Sequence, residues 1–276
     1  MLEAVGVRYE YPSGKVALDG VDVQVKGGEV LALMGSNGAG KTTLMKVLVG
    51  LLKPKSGKVL LDGREVHSMP TKEVSRMVGY VPQIADSLFF LESVWEEMNY
   101  ALRNFGIGDA ERRVESLLER FGLSGLRERS PFSLSGGQKK RLAIAVVLAW
   151  DPKYVLLDEP TLGQDKAGRE AIAETIESIR TEGRGVVVAT HDVEFVSELD
   201  PCVAVLSSGR VLASGPASDV LSDEELLRSA NLLPPQSVVI SRRLAHLGVP
   251  TTHRVDELVS SVARLLRCKS RVGERR

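Results

Sequence analysis

The sequence has 276 residues, enough to bury a full core in one or two domains. Its 36 basic and 36 acidic side chains cancel, so charge recommends neither nucleic acid nor an anionic surface as partner. The longest apolar run, residues 142–150, falls well short of the ~20 residues a membrane helix needs. No signal-peptide pattern opens the sequence, and its two cysteines lack ligand spacing, which suggests free thiols in a reducing compartment.

Strands are expected first. Tyr9-Glu10-Tyr11-Pro12 closes one of them, because proline breaks a sheet interior. Val21, Val23 and Val25 alternate with Asp22, Gln24 and Lys26, the period of a half-buried strand. Gly27-Gly28 turns the chain into the apolar run 30–34, followed by Gly35-Ser36-Asn37-Gly38-Ala39-Gly40-Lys41-Thr42-Thr43 and the helical pattern of Leu44, Val47 and Leu48. That is G-x-x-x-x-G-K-[ST] in its required context, strand before and helix after. Gly35, Gly38 and Gly40 let loop N–H groups turn inward as an anion nest, and the positive end of the following helix adds to the field. Lys41 can reach outer phosphates, and the Thr42 hydroxyl can hold Mg²⁺. A tight turn with a solvated lysine is the plainer alternative. The flanking elements favour a bound nucleoside triphosphate.

Gly50 is placed to cap that helix, residues 53–57 read as a turn, and 59–61 as a short strand. From about 84 to 150 the pattern becomes helical: Val94, Met98, Ala101 and Phe105 keep one face, and Val114, Leu117, Leu118 and Phe121 another. This reads as a helical subdomain inserted in an α/β core. The core resumes with a strand at 154–157, a helix through Ile172, Ile176 and Ile179, a strand at 186–189 and a helix from Asp192. Strands at 203–206 and 211–213 flank Ser208-Gly209, a hairpin signal. After Pro234-Pro235 two amphipathic helices are expected. One carries Ile240, Leu244 and Leu247; the other carries Val255, Leu258, Val259, Val262, Leu265 and Leu266. Neither is needed to close the sheet, so they read as an appended module, and 267–276 as a basic, disordered tail.

Four further signals follow the phosphate loop in order. Residues 154–157 form an apolar strand ending in Asp158-Glu159: one acid can hold Mg²⁺ through water, the other can take a proton from attacking water. Alone, they would read as solvated strand-end acids. Leu134-Ser135-Gly136-Gly137-Gln138 opens a helix that is apolar all round, where N–H groups and a serine hydroxyl make a second anion site or a simple N-cap. Gln83 follows a short strand (77–81), and His191 follows the strand at 186–189 with Asp192 behind it as a helix cap; either could be structural in isolation.

Taken together, these motifs resemble those of the ATP-binding cassette (ABC) ATPases, over roughly residues 1–220. The resemblance implies an α/β P-loop NTPase core (1–220) with an N-terminal antiparallel β part, an inserted helical subdomain (about 84–150) and a small C-terminal helical extension (221–266). It also implies roles. Residues 35–43 match the Walker A loop, Gln83 the Q-loop, Leu134–Gln138 the signature, and Asp158 and Glu159 the Walker B acid and catalytic glutamate. Asp165 matches the D-loop, and His191 the switch histidine. Tyr11 falls where family members stack an aromatic ring on adenine, although a strand-end tyrosine reads the same way. Lys41, Gln83, Glu159, Asp165 and His191 would serve catalysis, and Thr42, Gln83 and Asp158 the Mg²⁺ that accompanies ATP. In this family the signature of one subunit closes over the ATP of the other, so a homodimer or a heterodimer with a second ABC ATPase is implied. Gln164 departs from the family's apolar residue before the D-loop aspartate.

Within the family the sequence is similar to the ATP-binding subunits of energy-coupling-factor importers, including those of cobalt and nickel. Tyr11-Pro12-Ser13-Gly14 with Ala17-Leu18-Asp19-Gly20-Val21, the spacing of Asp86, Phe90, Val94 and Glu96 behind Gln83, and Leu232-Leu233-Pro234-Pro235 carry that likeness. Ile84-Ala85 stands where that subfamily has Asn-Pro. The implied function is ATP hydrolysis that powers uptake of a metal ion or vitamin, peripheral to the cytoplasmic side of integral membrane subunits. The alternative is a soluble ABC ATPase, for example in iron–sulfur assembly, which leaves the C-terminal extension unused. A chromosome-structuring ATPase would need a long coiled coil between the phosphate loop and the signature, and no heptad run is present.

Overall fold

The computed structural model describes residues 1–273, with side chains through residue 267. Strands β1 (Leu2–Glu10) and β2 (Val16–Val25) precede β3 (Val30–Met34) and helix α1 (Lys41–Leu48). Then β4 (Ser56–Leu61), the two-residue β5 (Arg64–Glu65) and α2 (Thr71–Met77) lead to β6 (Val78–Val81). Three helices follow, α3 (Val94–Phe105), α4 (Ala110–Arg120) and α5 (Gly136–Leu148). β7 (Tyr154–Asp158), α6 (Lys166–Thr181), β8 (Gly185–Thr190) and α7 (Val193–Leu199) alternate before the β9 (Cys202–Ser207) and β10 (Arg210–Pro216) hairpin. Four helices follow: α8 (Ala217–Val220), α9 (Glu224–Ser229), α10 (Gln236–Arg243) and α11 (Val255–Gly273).

The strands form two sheets. One is antiparallel, in the order β2-β1-β4-β5; the other runs β10-β9-β3-β8-β7-β6, parallel except for the β10 edge. Residues of β3, β7 and β8 are buried throughout, because both faces of the parallel sheet are covered, which explains their continuous apolar runs. On one face, Leu44, Met45, Val47 and Leu48 of α1 fill the space between the two sheets, against Leu18, Val21, Leu33 and Leu61. On the other, Ile172, Ile176 and Ile179 of α6 join Val155, Leu157, Val186 and Val188 in a cluster that continues into the helical subdomain.

Local chemistry sets the boundaries of that subdomain. Ser93 and Glu96 make a reciprocal capping box at the start of α3, and Gly106 ends it with φ 64°. Helix α5 is buried from Leu142 to Leu148 on every side, with Met98 and Leu102 of α3 and the sheet around it. Among the described residues no helix is long and apolar enough to cross a membrane.

The C-terminal part differs from the expectation in three ways. Val220, Leu221, Leu227 and Leu232 pack on Ala32, Met34, Val203 and Val205, so the core takes in α8 and α9 instead of closing near residue 220. Helix α10 stops at Arg243 and leaves Leu247 in a separate 3-10 turn. It buries Ser237, Val238 and Ser241, not the face of Ile240 and Leu247, which stays exposed. Polar contacts decide that orientation: the hydroxyls of Ser197 and Ser237 both donate to the His253 carbonyl, and His253 Nε2 lies 3.0 Å from Asp200 Oδ1. Finally, α11 carries helix on to Gly273, into the stretch expected as a tail, whose last three residues (274–276) lie outside the described residues.

Candidate functional site

β3 delivers the chain into the phosphate loop at Gly35, and α1 leaves it at Lys41. Glycine is required by space as well as by conformation. A Cβ on Gly35 would meet the Leu206 carbonyl oxygen at 2.4 Å, and one on Gly40, at φ 113°, would meet the Ala17 oxygen at 2.7 Å. The loop therefore nests between the β9–β10 turn and β2. Lys41 is only 6% exposed, and its ammonium donates to the Gly35 and Ser36 carbonyls at 2.7 and 3.3 Å. Its third neighbour is Glu159 Oε1, at 3.4 Å.

The loop opens on a cleft of about 390 Å³ lined by Tyr11, Lys15, Ala17, Gln83, Glu159 and residues 37–43. The Tyr11 hydroxyl lies 2.9 Å from Thr43 Oγ1, and its ring stacks edge-on against Tyr9 at 5.1 Å between centroids. These contacts hold the ring at the mouth of the cleft.

β7 ends in the two acids side by side. Asp158 is fully buried; its Oδ2 accepts from the Tyr80 hydroxyl at 3.2 Å, while Oδ1 has no partner. Burial pushes the Asp158 carboxyl above the usual range, against the pull of the Tyr80 hydroxyl bonded to it. Burial and the Asp158 charge together push the Tyr80 phenol far up, so it stays a donor. A buried carboxylate oxygen with nothing to accept, beside the Thr42 hydroxyl, is a donor set suited to a hydrated hard cation. Glu159 follows in a left-handed conformation, φ 46°, that turns its carboxylate back into the cleft. Its Oε1 meets His191 Nδ1 at 3.0 Å, and its Oε2 accepts from Thr190 Oγ1 at 3.1 Å. A carboxylate so held, next to the buried Lys41 ammonium, can accept a proton from a water at the far end of the cleft.

The chain thus gathers Tyr11, residues 35–43, Gln83, Asp158, Glu159 and His191 into one place. It leaves residues 134–138 and Asp165 out of that cleft. Ser135 caps α5, its Oγ accepting from Gln138 N at 3.3 Å while Gln138 Oε1 accepts from Ser135 N at 2.9 Å. Asp165 caps α6 through Gly168 N at 2.8 Å. The Gln164 side chain lies close over two glycines: a Cβ on Gly137 would meet its Oε1 at 3.3 Å, and one on Gly168 at 2.7 Å, so a side chain at either place would make the amide shift. Sequence reasoning missed Tyr80 and Thr190. Thr190, a lone polar residue ending the apolar β8, carried a signal; Tyr80 carried none.

The sequence family described as "ABC transporter" matches residues 18–162. A cobalt import ATP-binding protein, CbiO of Rhodobacter capsulatus, is 44% identical over 239 residues, 85% of each chain. Among solved structures, CbiO1 of Clostridium perfringens, described as part of the ABC transporter complex CbiONQ, is 34% identical. That alignment covers 89% of this chain and 97% of that one, with a TM-score of 0.73. The dimeric ATP-binding cassette MJ0796, bound to ADP and phosphate in a post-hydrolysis state, is 27% identical, covering 79% of this chain and 99% of that one, with a TM-score of 0.71. The motif order, the two-sheet core with its inserted helices and these likenesses agree: the chain belongs to the ABC transporter family and is one of its ATP-binding, ATP-hydrolysing subunits.

Proposed function

We propose that the chain powers an importer of the energy-coupling-factor type, taking up a metal ion such as cobalt or nickel, or a vitamin, through integral membrane subunits. It would work as a dimer, with itself or with a second ABC ATPase, peripheral to the cytoplasmic face of the membrane. The observation that carries the dimer is the composition of the nucleotide cleft. Tyr11, the phosphate loop, Gln83 and Glu159 line it, and residues 134–138 do not. A second chain would have to bring its signature to complete the phosphate cage. The dimeric MJ0796 and the name and near-full-length likeness of CbiO support the reading.

In this reading Tyr11 stacks on adenine, and the N–H groups of residues 36–40 with Lys41 hold the phosphates. Glu159 orients and deprotonates the attacking water, while His191 and Thr190 fix its carboxylate and His191 reaches the γ-phosphate. Thr42, Gln83 and Asp158 would hold Mg²⁺, which supplies charge neutralisation on the phosphate oxygens. Lys41 donates to the Gly35 and Ser36 carbonyls and has a third N–H that a phosphate oxygen can accept, so those carbonyls aim the ammonium into the loop. Most of the rate gain would come from position and electrostatics.

An apolar surface beside Gln83 supports a membrane partner. Ile84 and Phe90 are 67% and 60% exposed, and Phe90 packs edge-on against the half-exposed Tyr100 at 4.9 Å. The buried Glu97 carboxylate accepts the main-chain N–H groups of Phe90 and Leu91, which fixes the loop with Phe90 outward. Such a patch next to the nucleotide sensor suits a helix from a membrane subunit. The test is affinity purification from detergent-solubilised membranes of the native host. Recovery of integral membrane proteins that is lost on changing Ile84 and Phe90 to serine is the expected result. Recovery of soluble assembly proteins alone would overturn the importer.

A further inference from the structure

Two consecutive lysines behind the signature are assigned no contact with the phosphates above, although the Lys140 ammonium lies within electrostatic reach of Asp158 and Glu159. Lys140 lies on α5 and is 4% exposed, with its ammonium turned away from solvent. It donates to the Gln83 carbonyl at 2.9 Å and to the Pro82 carbonyl at 3.3 Å. Lys139, one residue earlier, reaches Asp86 Oδ1 at 2.6 Å. The segment 82–86 is therefore gripped at both ends by the first turns of the helix that presents Ser135, Gly136 and Gly137. Between the two grips, Ala85 packs against the same helix in the helical-subdomain core.

This clasp is costly unless it does something. Burying an ammonium needs acceptors with good geometry, and an apolar residue of similar size would serve packing at least as well. What the lysine adds is a fixed distance between two segments that face different nucleotides. Gln83 lines this chain's own nucleotide cleft, while residues 134–138 are absent from it and, on the dimer reading proposed above, face the partner's ATP. Because the acceptors are main-chain carbonyls, the tie holds the Q-loop backbone whatever its side chains do. Charge-assisted bonds to two carbonyls are also directional, unlike an apolar contact.

We infer that Lys140, assisted by Lys139 and Asp86, is a positioning residue that locks the Q-loop to the signature helix, so that occupancy of one nucleotide site sets the place of the signature offered to the other. The inference rests on the dimer reading for its consequence but not for the tie itself. Movement of Gln83 towards bound nucleotide would draw α5 with it as one body. Without the tie the two segments would shift independently, and nucleotide binding would separate from dimer closure.

Two readouts test this. The first is ATP-driven dimerisation by sedimentation in a Glu159→Gln background, alongside binding of a fluorescent ATP analogue by dilute monomer. Lys140→Met is expected to keep analogue binding within about twofold and to weaken dimerisation at least tenfold. Lys140→Arg, which can still donate to both carbonyls, should recover most of the loss. The second is amide hydrogen exchange of residues 136–142 in the monomer with and without nucleotide. The parent should show a nucleotide-dependent change there that Lys140→Met lacks. Should Lys140→Met fail to fold, Asp86→Ala at the half-exposed end of the clasp gives the same signs at smaller size. Unchanged dimerisation, equal losses of binding and dimerisation, no rescue by arginine, or an unaltered exchange response overturns the proposal. A parent that shows the exchange response but never dimerises contradicts the dimer reading and leaves the tie standing.

Discussion

At the scale of single residues, the nucleotide cleft was legible wherever the chemistry is written in consecutive positions. Residues 35–43 define their own geometry, because three glycines, a lysine and a hydroxyl suffice to make a nest at a helix start. Tyr11 was legible as a candidate only, and the structure adds its neighbours: the hydroxyl on Thr43 and the edge on Tyr9. Tyr11→Ala should therefore weaken ATP by on the order of 1 kcal/mol, about fivefold in apparent affinity, with the rate at saturating ATP unchanged. Tyr11→Phe keeps the ring and should bind as the parent does. An equilibrium titration of both decides it: equal losses would place the effect on the hydroxyl and remove stacking. Tyr80 and Lys140 were invisible because their partners, Asp158 and the Gln83 carbonyl, are far away along the chain and no local pattern links them.

At the scale of elements, hydrophobic period placed the strands and long helices well, since β3, β7 and β8 are buried on both faces and α3 on one. It failed for α10, where Ser237 and Ser241 turn inward because the Ser197 and Ser237 hydroxyls share the His253 carbonyl and Ser241 Oγ accepts from Thr252 N. A polar interface between helices has no apolar stripe to read. It also passed over α8 and α9, each too short to show a period. The capping boxes that start α3 and α5 are the local signals that place the helical subdomain. Ser93→Ala removes the acceptor for Glu96 N and should cost about 1 kcal/mol. The loss should appear as faster amide exchange in the first turn of α3 and a lowered Tm. An unchanged Tm would mean that packing of Val94 and Met98 alone sets the start of the helix.

At the scale of the whole molecule, the C-terminal helices dock on α7, the helix that follows His191. Gln236 N donates to Glu194 Oε1 at 2.8 Å, and Leu233 and Pro234 share a cavity of about 420 Å³ with His191, Glu159 and Leu162. Along α11, Leu258 is buried while Val255, Val259 and Leu266 are 53%, 61% and 61% exposed, so much of the apolar stripe faces away from its own chain. We expect that stripe to meet its equivalent and keep two cassettes near each other when the nucleotide sites open, raising their effective concentration into the ~millimolar range. A chain ending at Leu233 keeps the packed cluster that ends at Leu232, so it should remain folded and bind ATP. Its ATPase rate should fall steeply on dilution, and in concentrated, nucleotide-free solution it should sediment as a monomer where the full chain is a dimer. A truncated dimer, or a full-length monomer, would place the stripe on its own cassette. On the proposed mechanism Glu159 is the base in a site that two chains complete. Glu159→Gln keeps every phosphate contact yet removes the proton acceptor, and should slow hydrolysis ~10²–10⁴-fold. The direct measurement is sedimentation of Glu159→Gln diluted below the concentration at which the C-terminal stripe holds the nucleotide-free chain as a dimer. ATP with Mg²⁺ should convert it to a stable dimer and ADP should not; a species that ATP leaves monomeric, or a variant that turns over as fast as the parent, would contradict the account.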